Sequence, residues 1–529
     1  GPPRLKAVCD LTREEGHPIS RLVRPRDETG PNPSRVKGIS RVEPELCPYS
    51  RFNKGGTTEF SPSLAFSGTN REARGRSFFI SNLRSNQRGR EVGNTMALIT
   101  KAPRGTQDFT PDQSARMRYI EDTLMRIAGL HGFGEIRTPT FEHTELFVRS
   151  VGDTTDVVEK QMYTFEDKGG RSITLRPEGT AGAVRAMLEN GLYNAGYPVK
   201  LYYNTSCYRY EKPQAGRLRE LHQFGVEMFG AAEPVADVQV IALALSAFKR
   251  LGLEDVGLQI NSIGCPECRK EYHKALKEYF TARKEELCDT CLSRLERNPM
   301  RILDCKSPEC QEVCKGAPKI TDYLCEDCQA HFHKVQEYLT ALGVEFEVDP
   351  GLVRGLDYYT RTVFEFPSKS LGFALGGGGR YDGLVEEMGG KPTAGLGFGL
   401  GLDRIMMALE AQKTEFPQPV RCEVYLASMG EEAQKKAFLL TDELHHCGVP
   451  ADCDLCGRGL KAQMKYADKI GAKFTMVLGD NELQQGKAEM KNMKTGEKRK
   501  ISISGEDFIN DYVTVSTEAE DFSQDGIFF

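Results

Sequence analysis

The hydrophobic pattern of this chain becomes regular at Thr110. Pro111 follows this good N-cap residue and Gln113 stands three positions after it, which is the pattern of a capping box at a helix start. Apolar residues then recur at spacings of three and four, namely Met117, Ile120, Leu124 and Ile127. The spacing predicts a helix with one apolar face that ends at Gly132.

Short apolar or alternating segments elsewhere predict strands. They are residues 135–139, 172–176, 257–263 and 360–366. Pro139 and Pro177 close the first two, because proline cannot donate a hydrogen bond to a sheet ladder. A helical stretch, residues 181–188, follows the second strand.

Residues 207–227 predict a strand, a basic loop and a returning strand. Arg209 stands before the loop, and its planar fork of donors suits a phosphate group. Gln223, Gly225 and Glu227 alternate along the returning strand, so they share one face that can hold a small polar ligand beside the phosphate. The loop carries side chains that can contact a nucleic-acid end, namely Lys212, Gln214, Arg217 and Arg219.

The pattern changes at Arg421, where strands and helices begin to alternate. Strands are predicted at 422–428 and 473–478, and helices at 431–446 and 461–471. Such alternation indicates a small α/β domain with a mixed or parallel sheet. The basic residues between 487 and 500 are either an RNA contact or a solvated face.

Composition and charge narrow the class of protein. The 529 residues are enough for two to four domains, and the 39% apolar and 27% charged content is ordinary for a globular protein. No apolar run approaches the roughly 20 residues that span a membrane. The net charge of −5 gives no global attraction for RNA, so an RNA site has to be a local patch. We expect a cytoplasmic protein.

Residues 1–95 differ from the rest of the chain. They contain no Met, are rich in Arg, Ser, Pro, Gly and Asn, and show weak periodicity. We expect this segment to be disordered and to be translated upstream sequence, with Met96 as the natural start. Arg90, Glu91 and Val92 can be encoded by codons that form a purine-rich ribosome-binding sequence shortly before the ATG codon of Met96. A transit peptide, which the acidic residues disfavour, and an RNA-binding tail are the alternatives.

Glu178, Gly179 and Thr180 follow the strand that Pro177 closes. Gly179 permits close backbone approach, and the carboxylate and hydroxyl beside it can bind an ammonium group. A helix cap is the alternative role for Glu178 and Thr180, because the helix at 181–188 begins there. Thr180 can serve both purposes.

Residues 348–366 contain a further set of candidate binding side chains. Arg354 precedes a glycine, so its guanidinium can approach a ligand without a crowded neighbour. Tyr358 and Tyr359 offer hydroxyls on an aromatic wall. The alternatives are a surface ion pair for Arg354 and core filling for one of the tyrosines.

Two glycine-rich segments follow. Residues 375–383 predict a turn that contains Tyr381. Residues 394–405 predict a strand with small residues on one side, on which a ligand can lie flat, and then a helix that begins near Arg404. A dinucleotide-binding fold is disfavoured, because the strand-first context and the trailing acidic residue are missing.

Cysteines are concentrated between residues 265 and 328. Nine of the sixteen lie there: Cys265, Cys268, Cys288, Cys291, Cys305, Cys310, Cys314, Cys325 and Cys328. Six of them form three CxxC pairs, Cys265 with Cys268, Cys288 with Cys291, and Cys325 with Cys328. Such pairs have the spacing for a four-cysteine zinc site. Reduced structural thiols in a helical insertion are the alternative.

Three of these segments together resemble histidyl-tRNA synthetases of the bacterial type, within the class II aminoacyl-tRNA synthetases. Residues 207–227 resemble motif 2, residues 348–366 the histidine signature, and residues 394–405 motif 3. Residues 110–139 resemble motif 1, although an ordinary helix–strand unit is the alternative for that stretch alone. The resemblance covers residues 97 to 510.

The resemblance implies an α+β fold: a catalytic domain on an antiparallel sheet at 96–420, with the Cys-rich insertion at 265–345. It also implies an α/β anticodon-binding domain at 421–515, followed by a tail at 516–529. It implies ATP, Mg2+, L-histidine and tRNA(His) as substrates and partners, and a homodimer formed through motif 1.

Residue roles are carried over in the same way. Glu178, Thr180 and Gln223 would hold the substrate amino group, and Glu227 and Tyr359 the imidazole, in a pocket that Gly179, Tyr358 and Tyr381 help to form. Arg209 and Arg354 would bind the α-phosphate, Arg404 the γ-phosphate, and Arg217 ATP. Gln214 and Arg219 would contact the tRNA acceptor end.

Two other functions are alternatives. One is the histidine-binding regulatory subunit of ATP phosphoribosyltransferase, which shares the catalytic fold but lacks an anticodon domain. The other is a zinc-dependent RNA-binding protein without catalysis. Residues 421–510 and the intact Arg209, Arg354 and Arg404 favour the ligase over the regulatory subunit, and metal analysis with a pyrophosphate-exchange assay would separate all three.

Overall fold

The computed structural model describes residues 100–151, 155, 157–417 and 419–519. The predictions made for residues 1–95, including a start at Met96, lie outside these residues, as does the predicted tail from residue 520 onward. Within the described ranges, no helix combines the length and apolar character needed to cross a membrane.

A large sheet forms the centre of the first part of the chain. Its strands are β1 (Gly134–Glu135), β5 (Val199–Tyr208), β6 (Glu220–Phe229), β7 (Gln259–Ser262), β8 (Glu347–Val348), β9 (Thr360–Ser368), β10 (Phe373–Arg380) and β11 (Gly395–Gly401). They lie in the order β1-β5-β6-β11-β10-β9-β7-β8. All pairs are antiparallel except the outermost pair at each edge. A small sheet beside it contains β2 (Phe141–His143), β3 (Thr164–Glu166) and β4 (Ser172–Leu175).

Helices cover the large sheet and fill the connections. They are α1 (Pro111–Leu130), α2 (Thr144–Val151), α3 (Thr180–Glu189), α4 (Pro234–Leu251), α5 (Pro266–Thr281), α6 (Asp289–Arg297), α7 (Pro308–Cys314), α8 (Glu326–Ala341), α9 (Leu384–Glu387) and α10 (Leu402–Ala411). Helix α1 begins as the sequence predicts, with the backbone N–H of Thr110 donating to Oε1 of Gln113 at 3.0 Å.

Strand β6 divides its side chains between the two faces of the sheet. Phe224, Val226 and Met228 belong to a core that also contains apolar residues of α1, α4, α8 and α10. Their alternating neighbours, Gln223, Gly225 and Glu227, lie on the opposite face, where Gln223 and Glu227 line a pocket. The predicted alternation is therefore confirmed.

The prediction of a turn at residues 375–383 is wrong, because most of this segment is the central strand β10. The glycines are needed for close pairing with both neighbours rather than for a bend. A Cβ at Gly378 would lie 1.9 Å from the carbonyl oxygen of Gly397, and one at Gly377 would lie 2.4 Å from that of Phe364. The strand predicted at 135–139 is also shorter, since only Gly134–Glu135 pairs as β1.

The predicted insertion at 265–345 packs into the rest of the domain. Helix α8 contributes Phe332, Val335 and Leu339 to the core of the large sheet. Helices α5 and α6 share a second core with Tyr358 and Tyr381, two residues of the pocket. The insertion and the pocket are thus parts of one packed structure.

A five-stranded sheet forms the C-terminal part of the chain. Its strands are β12 (Val424–Ser428), β13 (Ala451–Cys453), β14 (Phe474–Leu478), β15 (Lys487–Asn492) and β16 (Lys498–Ser502), in the order β13-β12-β14-β15-β16. The first three are parallel and the last two antiparallel, so the predicted α/β sheet is mixed. Its helices are α11 (Glu431–His446), α12 (Leu460–Lys469), α13 (Asp480–Gln485) and α14 (Gly505–Ala519). Helix α14 continues past residue 515, where the sequence predicts the tail to begin.

A buried ion pair joins β10 to α4. Arg380 is fully buried at the end of β10, and its Nη2 donates to Oδ2 of Asp237, also buried, at 2.6 Å. The guanidinium also donates to the carbonyl oxygens of Ala231 and Glu233. Helix α8 adds Nε2 of His331, 3.4 Å from Asp237. The pair therefore ties together the strand, α4 and the last helix of the insertion.

We expect Asp237→Ala to lower the free energy of unfolding by about 3–5 kcal/mol, because it leaves the buried Arg380 charge, among the described residues, with only the half-buried Asp382, at 3.3 Å, as an acidic partner. Urea unfolding measures this change. Glu296→Ala removes the exposed ion pair with Lys277 and is the matched control, for which we expect little or no loss, since water and salt screen an exposed pair. Equal effects of the two variants would contradict the importance of the buried pair.

Candidate active site

The pocket follows β6 from Glu227, past Gly225 and Gln223, to the loop between β5 and β6. Residues that the sequence predicts for the site line the pocket at both of its ends. Those near Glu227 are Glu178, Thr180, Tyr358, Tyr359 and Tyr381, and those toward the loop are Arg209, Arg217, Gln223, Arg354 and Arg404. The structure therefore brings together residues that lie more than two hundred positions apart in the sequence.

Glycines facing one another across neighbouring strands give the pocket its floor. Gly225 of β6 pairs with Gly399 of β11, which pairs with Gly377 of β10. A Cβ at Gly399 would lie 2.4 Å from Nε2 of Gln223, and one at Gly225 would lie 2.3 Å from the ring of Tyr203. The space above these glycines is thus occupied by the side chains of Gln223 and Tyr203, which lie flat on the sheet.

Glu227 is buried at one end of the pocket, with both carboxyl oxygens hydrogen-bonded. The hydroxyl of Tyr203 donates to Oε1 at 3.1 Å, and the hydroxyl of Tyr381 donates to Oε2. Burial raises the pKa of Glu227 to about 8, and the nearby charge of Glu178 adds to the increase. Below that pH the carboxyl group keeps a proton, which it can donate to a basic ligand.

Glu178 combines the two roles that the sequence left open. Its carboxylate accepts the backbone N–H groups of Thr180 at 2.7 Å and Ala181 at 2.8 Å, so it caps α3. It also lines the pocket, where burial raises its pKa although these N–H groups and Arg209 oppose the shift. The hydroxyl of Tyr358 contacts Oγ1 of Thr180 at 3.5 Å.

Arg354 lies over the glycine floor, where its buried Nε is unpaired in the described part of the chain. Its Nη1 donates to Oε1 of Glu365 at 2.5 Å and would lie 3.0 Å from a Cβ at Gly377. Its Nε is buried and has no hydrogen-bond partner among the described residues. An unpaired buried N–H of a cation is costly, so this atom requires an acceptor such as an anionic ligand.

Three cations meet at the loop end of the pocket. Arg404, at the start of α10, donates to the carbonyl oxygens of Gly216 at 2.9 Å and Ala374 at 2.7 Å. Arg209 donates to the carbonyl oxygen of Pro177 at 2.8 Å, and neither arginine forms an ion pair within the described ranges. Burial lowers the pKa of Arg404, and the charges of Arg217 and Arg209 lower it further. This end of the pocket is arranged for a polyanion.

Three predicted residues do not line the pocket. Gly179 lies beneath the ring of Tyr203, where a Cβ would be 2.2 Å from a ring carbon, so it admits that ring rather than a ligand. Gln214 is exposed at the tip of the loop. The guanidinium of Arg219 lies 4.0 Å from the centre of the Tyr210 ring and donates to the carbonyl oxygen of Glu211.

Sequence reasoning missed three residues that shape the site. Tyr203 and Glu365 hold Glu227 and Arg354, and Asp403 accepts from the backbone N–H of His222 at 2.9 Å. Tyr203 lies on the strand that alternates toward Arg209, so extending the period-two pattern backward along β5 would have found it.

Eight of the cysteines of the insertion form two groups of four. The first group is Cys265, Cys268, Cys325 and Cys328, and the second is Cys288, Cys291, Cys305 and Cys310. Within each group all sulfur atoms lie within 4.8 Å of one another, so each group could hold a metal ion. The predicted pairs are thus confirmed as neighbours, and Cys305 and Cys310 complete the second group.

Comparisons with known protein families agree with this architecture. Residues 105–405 match the family model described as histidyl-tRNA synthetase, and residues 423–509 match the anticodon binding domain. The histidine–tRNA ligase of Halothermothrix orenii is 54% identical over 406 residues, which are 76% of this chain and 97% of that protein. The histidine–tRNA ligase of Clostridium novyi is 51% identical over 78% of this chain and 99% of that protein.

Solved structures give the same result. The apo histidyl-tRNA synthetase of S. aureus is 42% identical, with a TM-score of 0.66 over 77% of this chain and 98% of that chain. A Bacillus halodurans structure described as an ATP phosphoribosyltransferase regulatory subunit/histidyl-tRNA synthetase is 26% identical, with a TM-score of 0.52 over 70% of this chain and 97% of that chain.

A pocket on an antiparallel sheet, with arginines from a hairpin and from a helix start, defines a class II aminoacyl-tRNA synthetase site. The chain belongs to the histidyl-tRNA synthetase family.

The raised pKa of Glu227 predicts a pH-dependent stability. A carboxyl group whose folded-state pKa of about 8 exceeds its usual 4.5 holds a proton that the unfolded chain has already lost. Its contribution is therefore fully present below pH 4.5 and is lost as pH rises through 8. We expect the unfolding free energy of the protein, relative to Glu227→Gln, to fall as pH rises from 5 to 9 in urea titrations. A difference that rises or stays constant would contradict the assignment.

Proposed function

We propose that this chain attaches L-histidine to tRNA(His) at the expense of ATP, through a histidyl-adenylate intermediate. The proposal rests on the different chemical character of the two ends of the pocket. One end holds buried carboxyl groups among tyrosines, and the other holds three arginines together with Arg354, whose buried Nε is unpaired within the described ranges. An amino acid with a basic side chain fits the first end and a nucleoside triphosphate the second.

Histidine binds with its imidazole toward Glu227 and Tyr359. Because Glu227 has a pKa of about 8, it holds a proton at neutral pH that an imidazole nitrogen can accept, either in a hydrogen bond or by transfer. The second nitrogen then faces the Tyr359 hydroxyl, with Tyr358 and Tyr381 forming the aromatic wall. Glu178, Thr180 and Gln223 hold the α-amino group.

ATP enters as its Mg2+ complex and places its phosphates between the arginines. A carboxylate oxygen of histidine attacks the α-phosphorus, the bond to the bridging oxygen breaks, and pyrophosphate leaves. Arg209 and Arg354 neutralise the α-phosphate in the transition state, and Arg354 also aligns the attacking carboxylate. Arg217 and Arg404 hold the departing phosphates.

The transfer step requires tRNA at the loop end of the pocket. Gln214, exposed at the loop tip, is the better placed of the two predicted contacts. Arg219 packs on Tyr210, so we assign it to holding the loop as much as to contacting the acceptor end. The anticodon-binding domain at 421–515 supplies the second contact with tRNA.

The proposal includes a homodimer in the cytoplasm. The helix–strand unit that resembles motif 1, residues 110–139, would form the dimer interface. Apolar side chains beside it are exposed: Leu130 at 74%, Phe141 at 57% and Phe165 at 49%. Burial of such side chains in an interface is favourable.

The regulatory subunit of ATP phosphoribosyltransferase remains the second candidate function. The observation in favour of this second function is the similarity to the Bacillus halodurans structure, whose description names both proteins. The match of residues 423–509 to an anticodon binding domain and the three arginines at the ATP end favour the ligase.

The proposal includes the structural zinc that the cysteine pairs predict, and this zinc does not take part in the reaction. Among the residues described here, none of the eight clustered cysteines lines the pocket. A metal in the insertion would therefore take no direct part in the chemistry of adenylation.

ATP–pyrophosphate exchange measured with each of the twenty amino acids tests the function. We expect exchange with histidine alone, and we expect Glu227→Ala to abolish it because the imidazole loses its partner. Glu254→Ala, an exposed carboxylate away from the pocket, is the matched control and should exchange normally. Exchange with another amino acid, or near-normal exchange by Glu227→Ala, would refute the assignment. Histidine binding without any exchange would favour the regulatory subunit.

Arg354→Ala should slow histidyl-adenylate formation by roughly 10²-fold or more, by analogy with the loss of an oxyanion-hole donor. Single-turnover formation of the adenylate measures the rate directly. Arg354→Lys keeps the charge without the fork of donors, and we expect it to recover only part of the rate. A rate within twofold of the unchanged protein would exclude Arg354 from the transition state.

A further inference from the structure

We propose that the insertion binds two zinc ions, one in each four-cysteine group, and that these ions hold the segment that carries Arg354 and Tyr359. The metal sites stand on geometry alone. Only the expected effect on the aminoacylation pocket rests on the proposed function.

The sulfur geometry fits tetrahedral metal coordination in both groups. With Zn–S bonds of about 2.3 Å, a tetrahedral site separates its sulfurs by about 3.8 Å. The Sγ atoms of Cys265 and Cys268 are 3.5 Å apart, those of Cys265 and Cys325 4.0 Å, and those of Cys288 and Cys305 3.8 Å. A disulfide would require about 2.05 Å, and all these cysteines are free thiols.

The three CxxC pairs occupy equivalent positions on three helices. Cys265, Cys288 and Cys325 are the N-cap residues of α5, α6 and α8. The second cysteine of each pair lies one turn inside the same helix, so both sulfurs converge at the helix start, where the dipole favours thiolates. The pairs of α5 and α8 together supply the four sulfurs of the first group. This group therefore connects the first and the last helix of the insertion.

The second group completes its four ligands from the loop after α6 and from α7. Cys305 is buried and precedes α7, and Cys310 is fully buried inside it. Backbone N–H groups already donate to the sulfurs, from Cys288 to Cys310 Sγ at 3.3 Å and from Cys325 to Cys268 Sγ at 3.1 Å. Such N–H···S contacts stabilise metal-bound thiolates.

Each group lies next to residues that hold the catalytic segment. Arg269 directly follows Cys268 and donates to the carbonyl oxygen of Tyr359 at 3.2 Å. Arg301, between Cys291 and Cys305, donates to the carbonyl oxygen of Arg354 at 3.0 Å.

Asn298 of the same loop donates to Oδ1 of Asp357 at 3.2 Å. Residues 350–357 form neither helix nor strand and depend on such contacts for their position. The metal ions therefore fix the insertion, and the insertion fixes the backbone that presents Arg354 and Tyr359.

Metal analysis of the purified full-length protein tests the sites. We expect two zinc ions per chain, and one in each of the double variants Cys265→Ser/Cys325→Ser and Cys288→Ser/Cys305→Ser. Cys314→Ser is the matched control from the same insertion and should keep both ions, because Cys314 belongs to neither group. Absence of bound zinc in the unchanged protein, or two ions in either double variant, would overturn the proposal.

Two further measurements cover the case in which a variant fails to fold. Replacement of zinc by Co2+ in the unchanged protein should give the visible absorption of a tetrahedral thiolate site, and an octahedral spectrum would contradict four-sulfur ligation. Hydrogen exchange of the unchanged protein before and after chelation should accelerate for peptides covering 350–359 and stay constant for 424–453. Unchanged exchange at 350–359 would remove the link to the catalytic segment. Neither readout depends on ligase activity.

Discussion

The pocket exists because glycines face one another across three central strands of the sheet. Without a Cβ on Gly225, Gly399 and Gly377, the side chains of Tyr203, Gln223 and Arg354 can lie across the sheet instead of standing on it. Their polar atoms are then presented at floor level, where a small ligand can be enclosed. The buried Glu227 depends on the same arrangement, since a Cβ on Gly397 would lie 2.2 Å from its Oε2.

The charges of the site follow from this floor. Carboxyl groups can be buried near Glu227 only because hydroxyl and backbone donors reach them, and even so the pKa of Glu227 rises to about 8. At the opposite end the arginines bond to backbone carbonyl oxygens, which orient their guanidinium groups without neutralising them. The pocket thus keeps a neutral acid at one end and an excess of positive charge at the other, where, among the residues that the structure describes, Arg217 alone of the three arginines has an acidic partner, Glu211, at 3.7 Å.

The sequence predicted those features that depend on neighbouring residues and missed those that depend on strand pairing. The capping box at Thr110, the helix at Glu431–His446 and the shared face of Gln223 and Glu227 follow from local periodicity. The sequence predicts a turn where β10 lies, because consecutive glycines carry no periodicity, and only the neighbouring strands reveal why glycine is needed there. Tyr203, Glu365 and the pairing of Cys305 with Cys288 likewise depend on contacts between distant parts of the chain. The roles assigned to individual pocket residues remain predictions that mutagenesis can test.

The packing of the insertion has a consequence for how the chain can be shortened. The C-terminal sheet has an apolar core of its own, formed by residues between 424 and 512. A protein that ends after α10 would therefore lose that core as a whole and keep the core of the large sheet. Excision of α5 to α7 would instead uncover Tyr358, Tyr381 and Val363, which pack against these helices. A minimal catalytic fragment should therefore be obtained by trimming from the C-terminal end, and the cysteine-bearing helices must be retained in it.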